Sequence, residues 1–147
     1  MPNEDFVAIA AGGGHSLGLK SSGVVEAWGY GYYGQCSVPA PNESFVAVAA
    51  GGHHSLGLKS NGSIVAWGRN NNGQCDVPAP NEDFVVAAAG YGHCLGLKSD
   101  GSIVSWGDND YGQCNVPTAS GDFIDIASGY SHSVGPVSYT HLTLPTN

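Results

Sequence analysis

Four histidines recur at intervals of 39 residues: His15, His54, His93 and His132. Imidazole titrates near neutral pH and ligates transition metals, so such a set could do acid–base work or hold a metal ion. Either task needs the rings to converge on one atom. Residues repeated at a long fixed interval belong instead to successive structural units, and they lie apart. The spacing therefore predicts histidines hydrogen-bonded to backbone at the starts of strands; His53, outside the series, reads as an extra exposed ring. Cys36, Cys75 and Cys114 keep the same interval, and Cys94 replaces the serine found at Ser16 and Ser55. No pair has the Cys-x-x-Cys spacing of a metal site. Equivalent positions of neighbouring units come within the roughly 7 Å Cα separation of a disulfide only close to a common axis, so unpaired, packed thiols are expected.

Other chemistries fail on sequence grounds. Asp108-Asn109-Asp110-Tyr111-Gly112 superficially matches a calcium loop, but the twelfth position, where a bidentate Glu belongs, is Ala119. Gly12-Gly13-Gly14 lacks the Lys and following helix of a phosphate loop. No Ser/His/Asp arrangement or pair of buried carboxylates can be drawn. The chain reads as a non-enzyme, with no cofactor and no metal.

The interval of 39 runs from residue 2 to residue 135. The segment 51–78, GGHHSLGLKSNGSIVAWGRNNNGQCDVP, aligns without gaps on 12–39 and on 90–117. Between units 41–79 and 80–118, 26 of 39 residues are identical. Each unit reads as short strands. Phe45–Ala50 is apolar on both faces, His54–Lys59 alternates, and 63–67 returns from a turn at Ser60-Asn61-Gly62. Residues 73–78, ended by a proline, give a possible fourth strand. Trp28, Trp67 and Trp106 share one position, as do Phe6, Phe45, Phe84 and Phe123, so these rings are expected in the core between units. A 39-residue unit cannot bury its own faces, and units must stack. Four-stranded units punctuated by Gly and Trp point to an all-β, partial β-propeller: blades 2–40, 41–79 and 80–118, with the start of a fourth at 119–135.

The 147 residues carry 23 glycines, only 11% charged side chains and a formal charge of -8. That acidic balance argues against nucleic-acid binding, which needs a basic surface. No run approaches the ~18 apolar residues of a membrane helix, so no membrane insertion is expected. The first residues lack the basic region of a secretory signal, and the compartment stays open.

The combined pattern G-x-x-H-S-L-G-L-K-S-x-G…W-G-x-x-x-x-G-Q…V-P resembles the regulator of chromosome condensation repeat, a seven-bladed β-propeller family. The resemblance covers residues 2–135 and is closest to the short-looped bacterial form. It implies roughly half of a closed ring, and a fragment whose uncovered end sheets favour self-association. It also implies a binding role: one bacterial propeller of this repeat type inhibits β-lactamases by plugging the active site with its loop face. The alternative is a non-catalytic accessory module of a larger enzyme or surface protein. A third role known in the family, nucleotide exchange on a small GTPase, fits poorly with short loops and acidic charge. The repeat stops at residue 136. Residues 136–147, PVSYTHLTLPTN, resemble translated sequencing-adapter read-through and are expected to be non-native or disordered.

Tyrosines break the pattern of the other aromatics by falling where units differ. The most variable window lies between the W-G and G-Q motifs: Tyr30, Gly31, Tyr32 and Tyr33; then Arg69, Asn70, Asn71 and Asn72; then Asp108, Asn109, Asp110 and Tyr111. Equivalent loops of a stacked array emerge on one face. Tyr, Asn, Asp and Arg are the mixture found at protein-recognition surfaces, so these residues are the candidate contacts for another protein.

Overall fold

A computed structural model of the chain describes residues 5–116, 125–129 and 133–134. Nine strands form three antiparallel sheets: β1 (Phe6–Ala11), β2 (His15–Lys20) and β3 (Val25–Gly29); β4 (Phe45–Ala50), β5 (His54–Lys59) and β6 (Ile64–Gly68); β7 (Phe84–Ala89), β8 (His93–Lys98) and β9 (Ile103–Gly107). A short antiparallel pair, β10 (Ala127–Ser128) and β11 (Ser133–Val134), follows. The three sheets share one register, Phe6↔Lys20, Phe45↔Lys59 and Phe84↔Lys98 included. The blades are thus all-β, as the sequence predicts, and the period of 39 is a structural period.

They are three-stranded rather than four-stranded. Residues 73–78, expected as a fourth strand, form turns and irregular chain. Gly73 has φ +75°, and the Asp76 N–H bonds back to the Gly73 carbonyl at 3.0 Å. The Cys75 N–H is taken by Asn70 Oδ1 at 2.8 Å. These local bonds use the groups a ladder would need.

The hairpin turns are also more specific than Asn-Gly suggests. The Gly62 N–H bonds to the Lys59 carbonyl and the Lys59 N–H to the Ser63 carbonyl. Gly62 has φ +86° while Asn61 is not left-handed. This is a three-residue loop with a glycine bulge. Asn61 instead caps the loop, its Oδ1 accepting from the Ser63 N–H and hydroxyl.

Within each blade a phenylalanine at the start of the first strand lies across a glycine of the second. A methyl at Gly57 would sit 2.4 Å from the Phe45 ring, so only glycine fits there. The far side of that ring carries Lys59, whose Nζ is 4.1 Å from the centroid and donates to the Pro41 and Glu43 carbonyls. The Phe45–Trp67 edge of the second blade packs on Leu17, Leu19 and Val25 of the first. Phe84 and Trp106 pack in the same way on Leu56, Leu58 and Ile64. Each fully buried side chain of this kind contributes about 1.5–3 kcal/mol, so the cores between blades dominate stability. Among the described residues the first blade has no such neighbour on its Phe6 side. Trp28 is 49% exposed, against 6% for Trp67 and Trp106.

Candidate functional site

The loops between the W-G and G-Q motifs are shaped from beneath by buried glutamines. Gln35, Gln74 and Gln113 each accept, through Oε1, the N–H two residues earlier: Tyr33 at 2.9 Å, Asn72 at 2.8 Å and Tyr111 at 2.9 Å. Each glutamine carbonyl ties its loop to the next blade. The Gln35 carbonyl accepts from Trp67 Nε1 and Ser55 Oγ, both at 2.9 Å. The Gln74 carbonyl accepts from Trp106 Nε1 at 2.9 Å and Cys94 Sγ at 3.2 Å.

The repeated histidines complete this link. His15 Nε2 meets Ser55 Oγ at 2.9 Å, His54 Nε2 meets Cys94 Sγ at 3.2 Å, and His93 Nε2 meets Ser133 Oγ at 3.0 Å. Ser55 spends its one proton on the Gln35 carbonyl, so the imidazole must donate, and its Nε2 carries hydrogen. Main-chain partners were the expectation from sequence; the main chain of the next unit's histidine does act on the His15 and His54 rings, and their Nε2 atoms in addition join one blade to a side chain of the next. His132 lies outside the described residues. Burial lowers the affinity of His54 for a proton, to a pKa of about 4; the His93 main chain opposes this, and neighbouring imidazoles add to it. Burial lowers His15 in the same sense. The His15 and His54 rings are neutral at pH 7. The four cysteines are free, and burial raises Cys75 to about 11 and Cys94 well above its usual range, so their thiols stay protonated. Among the described residues no three His, Cys, Asp or Glu side chains gather as a metal site.

The exposed loops carry the variable side chains. Each loop start is held by a cysteine six residues on: Cys36 Sγ donates to the Tyr30 carbonyl, Cys75 to Arg69 and Cys114 to Asp108. Asn70 and Asn109, counted among the candidate contacts, are turned to their own loops. Their Oδ1 atoms accept from the Cys75 and Cys114 N–H groups, and their amides donate to Asp76 and Asn115. Asn71 and Asp108 also accept from their own loops through Oδ1; Tyr33, Arg69 and Asp108 are half-buried and the other candidates are exposed. Tyr32 and Tyr111 are 79% and 78% exposed.

Two residues outside the candidate set bring these loops together. His53 packs against Tyr33 at 5.0 Å, Tyr30 at 6.0 Å and Tyr91 at 5.7 Å between ring centroids. The Tyr91 hydroxyl is 3.3 Å from His53 Nε2. Arg69 stacks on Tyr33 at 4.8 Å, and Tyr32 meets Tyr33 edge-on at 5.1 Å. The signal for both residues was in the sequence: His53 stands where Gly14 and Gly92 stand in the other units, and Tyr91 where Gly13 and Gly52 stand. Beside this cluster, a groove of about 300 Å³ separates the second and third loops. Arg69, Asn71 and Asn72 line one side, Asp108, Asp110 and Tyr111 the other, and His53, Gln74, Tyr91 and Gly92 complete the lining.

A family model of the regulator of chromosome condensation (RCC1) repeat matches residues 6–35, 45–74 and 85–113, together more than half of the chain. The chain belongs to the RCC1-repeat family. No curated protein matches it as a whole sequence. Among solved structures, Prp20p of Saccharomyces cerevisiae, studied for its binding to Gsp1p and histones, is similar at 24% identity and a TM-score of 0.75, over 90% of this chain and 43% of that one. The ectodomain of the Arabidopsis thaliana receptor kinase ACR4 is 26% identical with a TM-score of 0.74, covering 94% of this chain and 48% of its own. The receptor kinase CR4 ectodomain of Physcomitrella patens is 25% identical with a TM-score of 0.77, covering 96% and 41%. The chain thus spans less than half the length of each of these RCC1-like structures, and it is a partial RCC1-type β-propeller.

Proposed function

We propose that this RCC1-repeat propeller binds another protein through the face formed by the W-G to G-Q loops. One observation carries the reading. Positions that repeat build the scaffold, while positions that break the repeat gather in one cluster: Tyr30, Tyr32, Tyr33, His53, Arg69 and Tyr91. Rigid aromatic side chains and an arginine on a fixed scaffold form the kind of anchor set that dominates protein interfaces. The solved relatives add support at the level of fold, since Prp20p binds Gsp1p and histones and is also known bound to Kap60. Tyr30 and Tyr32 are exposed at the rim of the cluster, so insertion of these rings into a concave site of the partner, as an inhibitor would do, is one concrete form of the binding.

Site-specific photocross-linking tests this. A photoreactive residue at Tyr32 or Asn71 is expected to trap a discrete partner from cells of the source organism, whereas the same residue at the hairpin tips, Ser60 or Asp100, is expected to trap none. Cross-links confined to the hairpin tips would overturn the assignment of the face.

A further inference from the structure

The chain has only four cationic side chains, Lys20, Lys59, Lys98 and Arg69. The three lysines occupy one repeat position and lie over Phe6, Phe45 and Phe84. They belong to the scaffold. Arg69 stands at the position of Tyr30 and Asp108 in the other loops, and it has no ion-pair partner among the described residues. Its stacking on Tyr33 fixes the guanidinium plane and leaves the N–H edge available for a carboxylate.

Across the groove stand Asp108 and Asp110. Asp108 Oδ1 caps the Asp110 N–H at 3.0 Å. Its Oδ2 would lie 3.8 Å from a methyl placed on Gly92, and Asn72 Nδ2 from the opposite loop would lie 3.6 Å from that methyl. Both loops therefore converge on Gly92 with an anionic wall on one side and a cationic wall on the other. No ion pair joins Arg69 to either aspartate across the groove. In a chain with a formal charge of -8, two like-charged walls would be the unremarkable outcome.

An occupant of one charge meets attraction on one wall and repulsion on the other. An occupant with both charges is favoured by each. The volume of about 300 Å³ is at the small end of ligand sites and holds two or three side chains, not a folded element. Asn71 and Asn72 add amide donors and acceptors suited to main chain, and Tyr91 and Tyr111 add aromatic faces for the stems of long side chains. We infer that the groove between Arg69 and Asp108/Asp110 receives a protruding segment of the partner protein that carries an acidic and a basic side chain close together. The acid pairs with Arg69, and the base lies over Tyr91 and Tyr111 against the two aspartates. This rests on the reading of the loop face as a protein-binding surface.

The test uses the full chain and four end-capped pentapeptides: Gly-Glu-Gly-Arg-Gly, Gly-Gln-Gly-Arg-Gly, Gly-Glu-Gly-Gln-Gly and Gly-Gln-Gly-Gln-Gly. Binding is followed by amide chemical shifts in the chain. The doubly charged peptide is expected to bind at least about threefold more tightly than either singly charged one, the gain typical of one added ion pair. Its shifts should centre on His53, Tyr91 and Gly92. Arg69→Gln should remove the benefit of Glu and keep that of Arg. Asp108→Asn with Asp110→Asn should do the reverse, and Asn at 108 keeps the cap on the Asp110 N–H. Four peptides of equal affinity, no binding by any of them, or shifts centred elsewhere would overturn the inference. If photocross-linking still traps a partner from Tyr32 in that case, the loop face stands and only the paired-charge occupant falls. If neither experiment gives a signal at the loops, the face itself is wrong.

Discussion

His15 Nε2 lies 2.9 Å from the Oγ of Ser55, a residue of the neighbouring blade. With the Ser55 bond to the Gln35 carbonyl, this makes a three-membered link from the end of one loop to the core of the next sheet. The same link recurs at His54, Cys94 and Gln74. It ties the candidate face to the scaffold: the loops that carry Tyr33 and Arg69 end on carbonyls bonded by the following blade.

The link makes stability depend on pH. His54 has a folded-state pKa of about 4, below its value of 6.5 when unfolded. The unfolded chain therefore binds a proton more readily, and stability falls as pH drops below 6.5 until the folded pKa is passed. Taken over the whole interval, this is at most about 3 kcal/mol for the one group. Urea unfolding at pH 7 and pH 4 should show a stability loss that His54→Gln reduces by an amount of that order. An equal pH slope in both proteins would show that the ring is not buried as described.

Cys94 provides a second check, because its sulfur both accepts from His54 and donates to Gln74. Serine fills the same role at Ser55, so Cys94→Ser should change stability by less than about 1 kcal/mol. Cys94→Val, slightly larger and apolar, leaves the buried His54 N–H without its partner, while the Gln74 carbonyl keeps Trp106 Nε1. It should cost about 1–3 kcal/mol by denaturant midpoint. The reverse order would mean that packing, not hydrogen bonding, fixes this position.

Gly57 and Gly92 both face neighbouring side chains, yet their substitutions are expected to differ sharply. A methyl at Gly57 meets the Phe45 ring at 2.4 Å, whereas one at Gly92 finds its nearest neighbour, Asp108 Cβ, at 3.4 Å. Gly57→Ala must displace Phe45 and should lose about 1–3 kcal/mol. Gly92→Ala should stay within about 0.5 kcal/mol, and it offers a mild way to narrow the groove. Thermal melts of the two variants decide the point.

The sequence made the strands legible because their signals are local. Phe45–Ala50 and His54–Lys59 end where composition changes, and Gly62 marks the return. Residues 73–78 misled because Val77 and Cys75 look strand-prone, while the bonds that bend this segment come from Asn70, outside it. The histidine partners were illegible for a related reason. The bond from His15 crosses to Ser55, a residue whose role emerges only when blades stack. At the site, the variable window was visible as departures from the repeat. His53 and Tyr91 were equally visible departures, yet the packing of His53 between Tyr33 and Tyr91 depends on the three-dimensional spacing of three successive blades.

The uncovered edge of the first blade leads to the last expectation. Trp28 is 49% exposed where Trp67, in the same position one blade on, is 6% exposed beneath Leu17, Leu19 and Val25. Val7 and Ile9 on the first strand are 63% and 79% exposed. Apolar patches of this kind drive association, at roughly 25 cal/mol per Å² removed from water. We expect the 147-residue chain to self-associate, with an interface approaching the ~800 Å² per partner of ordinary complexes. Sedimentation velocity over a concentration series should show dimers or larger species. Ile9→Lys with Trp28→Gln should shift the population to monomer without disturbing the loop face on the other blades. A compact wild-type monomer at high concentration would mean that the Phe6–Trp28 edge is covered by chain the described residues do not include.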